Sequence, residues 1–215
     1  MKAAFIERTG GPEVIQFGEV PGPIGSSGPA PSDVLVQVTA CSVNPIDTYV
    51  RAGTVAMPLT FPHVVGCDLA GEVVAVGDAV DRFRPGDRVW GSNQGILGRR
   101  GSFAELAAVD HRWLYPVPAG VADRTAAATA LVGITAHLGL VTHAAIRPGE
   151  TIFVHGGSGG VGSMVVQIAK RLGARVIATA GNADRRERVL SYGADVVIDR
   201  SAIAADLRGE AAVEA

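Results

Sequence analysis

The segment Gly157-Ser158-Gly159-Gly160-Val161-Gly162 constrains this chain more than any other. Before it, Thr151-Ile-Phe-Val-His155 is a short apolar run that predicts a strand. After it, Val161, Val165, Ile168, Ala169 and Leu172 recur at spacings of three and four and predict a helix over Val161 to Leu172. A strand, a turn of the form GxGxxG and a helix together make a cradle for a dinucleotide's pyrophosphate. In that arrangement Gly157 permits the tight turn, Gly159 lets backbone approach the phosphates, and Gly162 lets helix and strand pack closely; Gly160 and Val161 are assigned to cofactor binding with them. The helix start adds unpaired N–H groups and a positive dipole end. A purely structural turn is the alternative in a chain with 28 glycines, but the flanking elements favour the dinucleotide.

The alternation continues. Gly173 ends the first helix, Arg175 to Ala180 reads as a second strand, Asp184 to Leu190 as a second helix and Asp195 to Ile198 as a third strand. A parallel β-α-β-α-β layer is the expected product. The end of the second strand reports on the ligand, because an NAD site normally carries Asp or Glu there for the ribose 2′-hydroxyl. Here the chain reads Ala178-Thr179-Ala180-Gly181-Asn182, with no carboxylate, and Arg185, Arg186 and Arg200 follow. Guanidinium groups suit a 2′-phosphate. Arg185 and Arg200 are therefore assigned to cofactor binding and the cofactor to NADPH. The other reading makes these arginines solvated helix charges paired with Asp184 and Glu187.

The front half is different in style. Val34 to Val38, Gly71 to Val76 and Asp87 to Trp90 are short β-branched runs bounded by turns such as Pro85-Gly86-Asp87, so residues 1–120 read as a β domain and 121–215 as the α/β domain. With 19 basic against 21 acidic residues the formal charge is −2, which gives no field to draw in nucleic acid or a membrane surface. Thr125 to Ile146 contains no Asp, Glu, Lys or Arg and imitates a membrane span. Gly133, Gly139, His137, His143 and four threonines argue for a buried helix instead. The N-terminus meets Glu7 before any apolar core of signal-peptide length, so a cytoplasmic protein is expected. Cys41 and Cys67, the only cysteines, read as small buried apolar residues.

These residues resemble the medium-chain dehydrogenase/reductase superfamily, and within it the zinc-independent quinone oxidoreductases of the ζ-crystallin type. The resemblance rests on Val43-Asn44-Pro45-Ile46-Asp47-Thr48-Tyr49-Val50-Arg51-Ala52-Gly53, on Gly66-Cys67-Asp68-Leu69-Ala70-Gly71-Glu72-Val73, on Pro85-Gly86-Asp87-Arg88-Val89 and on Val154 to Gly162. It implies a GroES-like β-barrel domain followed by a partial Rossmann domain, a doubly wound parallel sheet. Zinc-dependent relatives place a Cys at the position of Asn44 and a His-Glu pair at Cys67-Asp68, so the resemblance implies no metal. It implies hydride delivery from NADPH to a quinone or activated alkene, with Asn44 and Tyr49 as catalytic donors and Thr135 near the nicotinamide.

Bland readings stand beside each assignment: Asn44 as a helix N-cap ahead of Pro45, Tyr49 as a core aromatic, Thr135 as a packing threonine. The family's tyrosine shortly after Arg51-Ala52-Gly53 is missing, since Thr54 is followed by Val55. A Rossmann sheet is ordered 3-2-1-4-5-6. The residues supply strands 1 to 3, so the chain resembles a C-terminally truncated member, with a homo-oligomer expected at full length. A non-catalytic nucleotide-binding protein and a zinc alcohol dehydrogenase are the rival functions.

Overall fold

The computed structural model describes residues 1–25 and 28–200. The chain divides into two compact units, one running from Met1 to Leu131 and a second beginning at Val132.

In the first unit, strands β1 (Lys2–Ile6), β2 (Gln16–Glu19) and β3 (Asp33–Ser42) precede helix α1 (Pro45–Ala52). Strands β4 (His63–Val64), β5 (Asp68–Val76), β6 (Arg88–Gly91), β7 (Leu106–Asp110) and β8 (Leu114–Pro116) follow. The expected β domain is built as a five-stranded sheet ordered β7-β3-β5-β6-β8 and a three-stranded sheet ordered β2-β1-β4, all pairs antiparallel. Alternation sets which residues turn inward: Val34 and Val36 on β3, Leu69 and Val73 on β5, Val89 on β6 and Leu114 at the start of β8 form one sealed cluster. Each such side chain contributes about 1.5–3 kcal/mol by leaving water. Strands β3 and β5 approach so closely at Gly71 that a Cβ there would stand 2.1 Å from the Gln37 carbonyl oxygen.

Helix α1 opens as its sequence predicts. Asn44 is the N-cap, Pro45 fills the first helical position, and Asp47 closes a capping box by accepting the Asn44 backbone N–H at 2.7 Å. Gly53 ends the helix in the left-handed region, φ 73°.

Helix α2 (Asp123–His137) runs on into a wider π turn at Leu138–His143, and the division between the units falls inside α2. Its first turns are claimed by the β unit, where Ala126 and Ala127 pack with Ala70. Among the described residues, Asp123–His143 is the one helix long and apolar enough to cross a membrane by length and composition. The buried-helix expectation holds on one side only. Ala126, Ala127, Ala130, Ala136 and Leu140 are covered, whereas Leu138 and Val141 are exposed.

The second unit carries β9 (Thr151–Val154), α3 (Gly160–Arg171), β10 (Arg175–Ala180), α4 (Ala183–Ser191) and β11 (Val196–Asp199). The three strands form a parallel sheet ordered β11-β10-β9, with Ile177 opposite Phe153 on one side and Val196 on the other. Each boundary lies within a residue of the sequence expectation. The deepest positions of α3 are Val166 and Ala169, while Val165, Ile168 and Leu172 are partly buried around them. Val176, Ala178 and Val189 complete this core. Among the described residues β9 is an edge strand, and its Phe153 is 59% exposed.

Candidate functional site

The second unit holds the glycine turn, Thr135 and the arginines; the first holds Asn44 and Tyr49. Each group has its own geometry.

The turn after β9 is bound to β10 rather than to its own strand. Gly156 N–H donates to Thr179 Oγ1 at 2.9 Å, and Gly157 N–H donates to the Thr179 carbonyl at 2.9 Å. The positive φ that reverses the chain belongs to Gly156, at 75°, not to Gly157. That corrects the role read from the sequence. Gly157 is needed for packing, because a Cβ there would lie 2.9 Å from Ala178 Cβ and 3.1 Å from Val189 Cγ1. Gly162 meets its expectation: a Cβ would stand 2.2 Å from the Gly156 carbonyl oxygen, so only glycine lets α3 start this close to the turn. A Cβ on Gly159 would meet only the Gly156 carbonyl oxygen, at 3.3 Å. With Gly159 as N-cap, the first α3 bond is Ser163 N–H to the Gly159 carbonyl at 2.9 Å. The N–H groups of Gly160, Val161 and Gly162 lie ahead of it, the ones a helix start cannot pair internally.

Past β10, two guanidinium groups converge. A Cβ on Gly181 would stand 3.4 Å from Arg200 Nη2 and 4.0 Å from Arg185 Nη1. Asn182 caps α4 by accepting the Arg185 backbone N–H at 2.9 Å, which leaves the Arg185 side chain out of the cap. Arg186 is different, since it pairs with Asp199. Among the described residues, no carboxylate forms an ion pair with Arg185 or Arg200; neither Asp184 nor Glu187 neutralises them. Thr135 lies exposed on α2.

In the first unit, Asn44 is 5% exposed and its Nδ2 donates to Asp68 Oδ2 at 2.8 Å. Asp68 itself is 1% exposed. It also accepts from Ser92 Oγ at 2.5 Å, from the Leu131 backbone N–H at 3.2 Å and from Ser42 Oγ at 2.9 Å, whose single hydrogen is shared with the Ala127 carbonyl at 3.0 Å. Four donors from four places in the sequence converge on one carboxylate. Sequence reasoning noted Asp68 only as a lost zinc-ligand position; an acid inside the otherwise apolar run Val65 to Ala70 was the available signal. Tyr49 is 49% exposed on α1, which removes the core-aromatic reading.

The cysteines part company. Cys67 is buried, and burial, with Asp68 and Asp47 beside it, pushes its thiol up to about 11. Cys41 is exposed at an outward position of β3, against the expectation that it is buried. Asp47 is raised to about 6, by burial first and by the neighbouring Asp68 charge, with the Asn44 and Cys67 backbone N–H groups opposing. His63 is buried and lies 3.2 Å from the Gly95 carbonyl through Nε2; burial lowers its pKa. Among the described residues, no three His, Cys, Asp or Glu side chains cluster so as to hold a metal ion.

Residues 30–119 match the alcohol dehydrogenase GroES-like domain and residues 160–213 the zinc-binding dehydrogenase domain. The chain belongs to the medium-chain dehydrogenase/reductase family. Human quinone oxidoreductase is 36% identical over 200 residues, covering 93% of this chain and 58% of the human one. Among solved structures, an alcohol dehydrogenase superfamily protein from Novosphingobium aromaticivorans is 45% identical with a TM-score of 0.82, over 94% of this chain and 59% of that one. The Escherichia coli quinone oxidoreductase complexed with NADPH is 32% identical with a TM-score of 0.80, over 94% and 59%. The chain thus spans about 58% of the length of the curated relatives it matches. Within this family, the first unit corresponds to the GroES-like domain and the second to the Rossmann-like nucleotide-binding domain.

Proposed function

We propose that this medium-chain dehydrogenase/reductase chain is an NADPH-dependent, zinc-free oxidoreductase whose acceptor is a quinone or an α,β-unsaturated carbonyl. The observation that carries the cofactor is the convergence of Arg185 and Arg200 on Gly181, past a β10 that ends without a carboxylate. A phosphate dianion there gains charge-assisted, fork-shaped donors, whereas a bare ribose 2′-hydroxyl lacks the carboxylate that an NAD site places at the end of this strand. The free N–H groups of Gly160, Val161 and Gly162 fit the pyrophosphate. The quinone oxidoreductase relatives support the reaction class.

The cofactor supplies a hydride. The chain's own residues hold and orient: the Gly156–Gly162 turn and the two arginines bind, and Thr135 is assigned to the nicotinamide end. Asn44 and Tyr49 offer an amide N–H and a hydroxyl where negative charge develops on an acceptor oxygen.

Zinc does not fit the donor set. Where zinc-dependent relatives carry their first Cys this chain has an amide, Asn44, already committed to Asp68. The Asp68 carboxylate is occupied by four protein donors, and the Cys67 thiol is held far from its thiolate form. A quinone or conjugated carbonyl needs no metal to stabilise an alkoxide, unlike the alcohol substrates of zinc enzymes. The test is quinone-dependent NADPH oxidation before and after exhaustive chelation. Unchanged turnover is expected, and loss of turnover that added zinc restores would refute the zinc-free reading.

A further inference from the structure

Asp68 gathers Ser42 at the end of β3, Asn44 at the cap of α1, Ser92 just past β6 and the Leu131 N–H of α2 onto one carboxylate. Its own carbonyl oxygen accepts Ser102 Oγ at 2.8 Å. A buried carboxylate is costly unless its lone pairs are filled, and here all four donors are neutral. An ion pair for stability would have brought an arginine or lysine. What the neutral set does instead is fix the directions of the groups around it.

Asn44 is the one among them with something left to give. Its amide carries two Nδ2 hydrogens, of which one goes to Asp68. Among the described residues the other has no acceptor. The direction of that second N–H is set by the first, because the amide is planar. The backbone end of Asn44 is fixed as well, since its N–H is held by Asp47 at 2.7 Å.

We propose that Asp68 is a positioning residue for hydride transfer, locking the Asn44 amide so that its second N–H faces the acceptor oxygen. This rests on the oxidoreductase reading above. Asp68 touches no substrate in this scheme and acts only through Asn44. Without it the amide can rotate, and the Nδ2–H and Oδ1 can exchange places. An amide presenting Oδ1 to a developing oxyanion repels it.

The test is a double-mutant cycle on the 215-residue chain with Asp68→Asn and Asn44→Ala. The substitution is isosteric but leaves a single acceptor oxygen, with an NH2 group in place of the other, for the four donors that two carboxylate oxygens served. The probe acceptor is 9,10-phenanthrenequinone, which has no free quinone-ring position for the exposed Cys41 to attack. Asp68→Asn is expected to lower kcat by about 10- to 100-fold, the cost of a misaligned group, with the KM for NADPH unchanged. Combined with Asn44→Ala it should add nothing further. In parallel, the Asn44 side-chain amide proton pair in a ¹⁵N-labelled chain should shift in Asp68→Asn while the backbone spectrum stays folded. Losses that multiply in the double mutant, an unchanged kcat, or an unmoved Asn44 amide pair would each overturn the assignment. A wild-type chain that binds NADPH but reduces no quinone would sink the oxidoreductase reading and the role of Asp68 with it. Turnover with a multiplicative cycle sinks the Asp68 assignment alone.

Discussion

The Gly156 N–H donates to the hydroxyl of Thr179, 23 residues further on, at 2.9 Å. One buried threonine on β10 thereby holds the turn that follows β9, since its carbonyl takes the next N–H, of Gly157, at 2.9 Å. The turn proposed above to hold the pyrophosphate is therefore built by two strands.

Thr179→Val tests that coupling. Valine matches the shape but leaves the part-buried Gly156 N–H without its partner, at a cost of up to about 1–3 kcal/mol, the range for an unsatisfied donor. Denaturant unfolding should show a loss in that range, and NADPH affinity should fall with it. A variant as stable as wild type, with unchanged affinity, would separate the turn from β10.

Gly162→Ala is the sharper perturbation. The added Cβ would stand 2.2 Å from the Gly156 carbonyl, a backbone atom with nowhere to move cheaply. The start of α3 must shift, and NADPH binding measured by calorimetry should be abolished. The contrasting variant is Gly159→Ala, whose Cβ meets only one atom at 3.3 Å. It should fold normally. Equal damage at both positions would contradict the packing argument.

Asp47 predicts a pH dependence. Burial raises its carboxyl from the ordinary 3.8 to about 6, against the Asn44 backbone hydrogen bond that lowers it. Between those values the folded chain holds a proton that the unfolded chain has released, so the contribution of Asp47 to stability falls as pH rises from about 4 to about 6 and stays level above. Asp47→Asn keeps an acceptor for the Asn44 N–H and removes the charge. The melting temperature of the variant should therefore gain most over wild type at pH 7 and least at pH 4. A difference independent of pH would show that Asp47 carries no such shift.

The second unit was legible in the sequence because its signals are local. Strand, glycine turn and helix follow one another between Thr151 and Leu172, and each period is set by neighbours in the chain. The absence of a carboxylate after Ala180 was equally plain. What escaped is what depends on distant partners. Gly156, at positive φ, is held by Thr179 from the next strand, and nothing in a GxGxxG spacing distinguishes the glycine that bends from the one that packs. The Asp68 hub draws on Ser42, Asn44, Ser92 and Leu131, brought together by strand pairing and by the packing of α2 on β5. Cys41 misled for a simpler reason: small and apolar by type, it falls on the outward face of β3 as the alternation runs out toward Ser42.

The cofactor assignment is tested most directly by titrating NADPH and NADH into the same chain, wild type and Arg185→Ala, by calorimetry. Each charge-assisted contact to a 2′-phosphate is worth about 1.5–3 kcal/mol. Wild type should bind NADPH at least about 10-fold more tightly than NADH. Arg185→Ala should weaken NADPH by about 10- to 100-fold and leave NADH nearly unchanged. Equal affinity for the two cofactors in wild type, or an equal loss for both in the variant, would contradict the assignment of Arg185 and Arg200 to the 2′-phosphate.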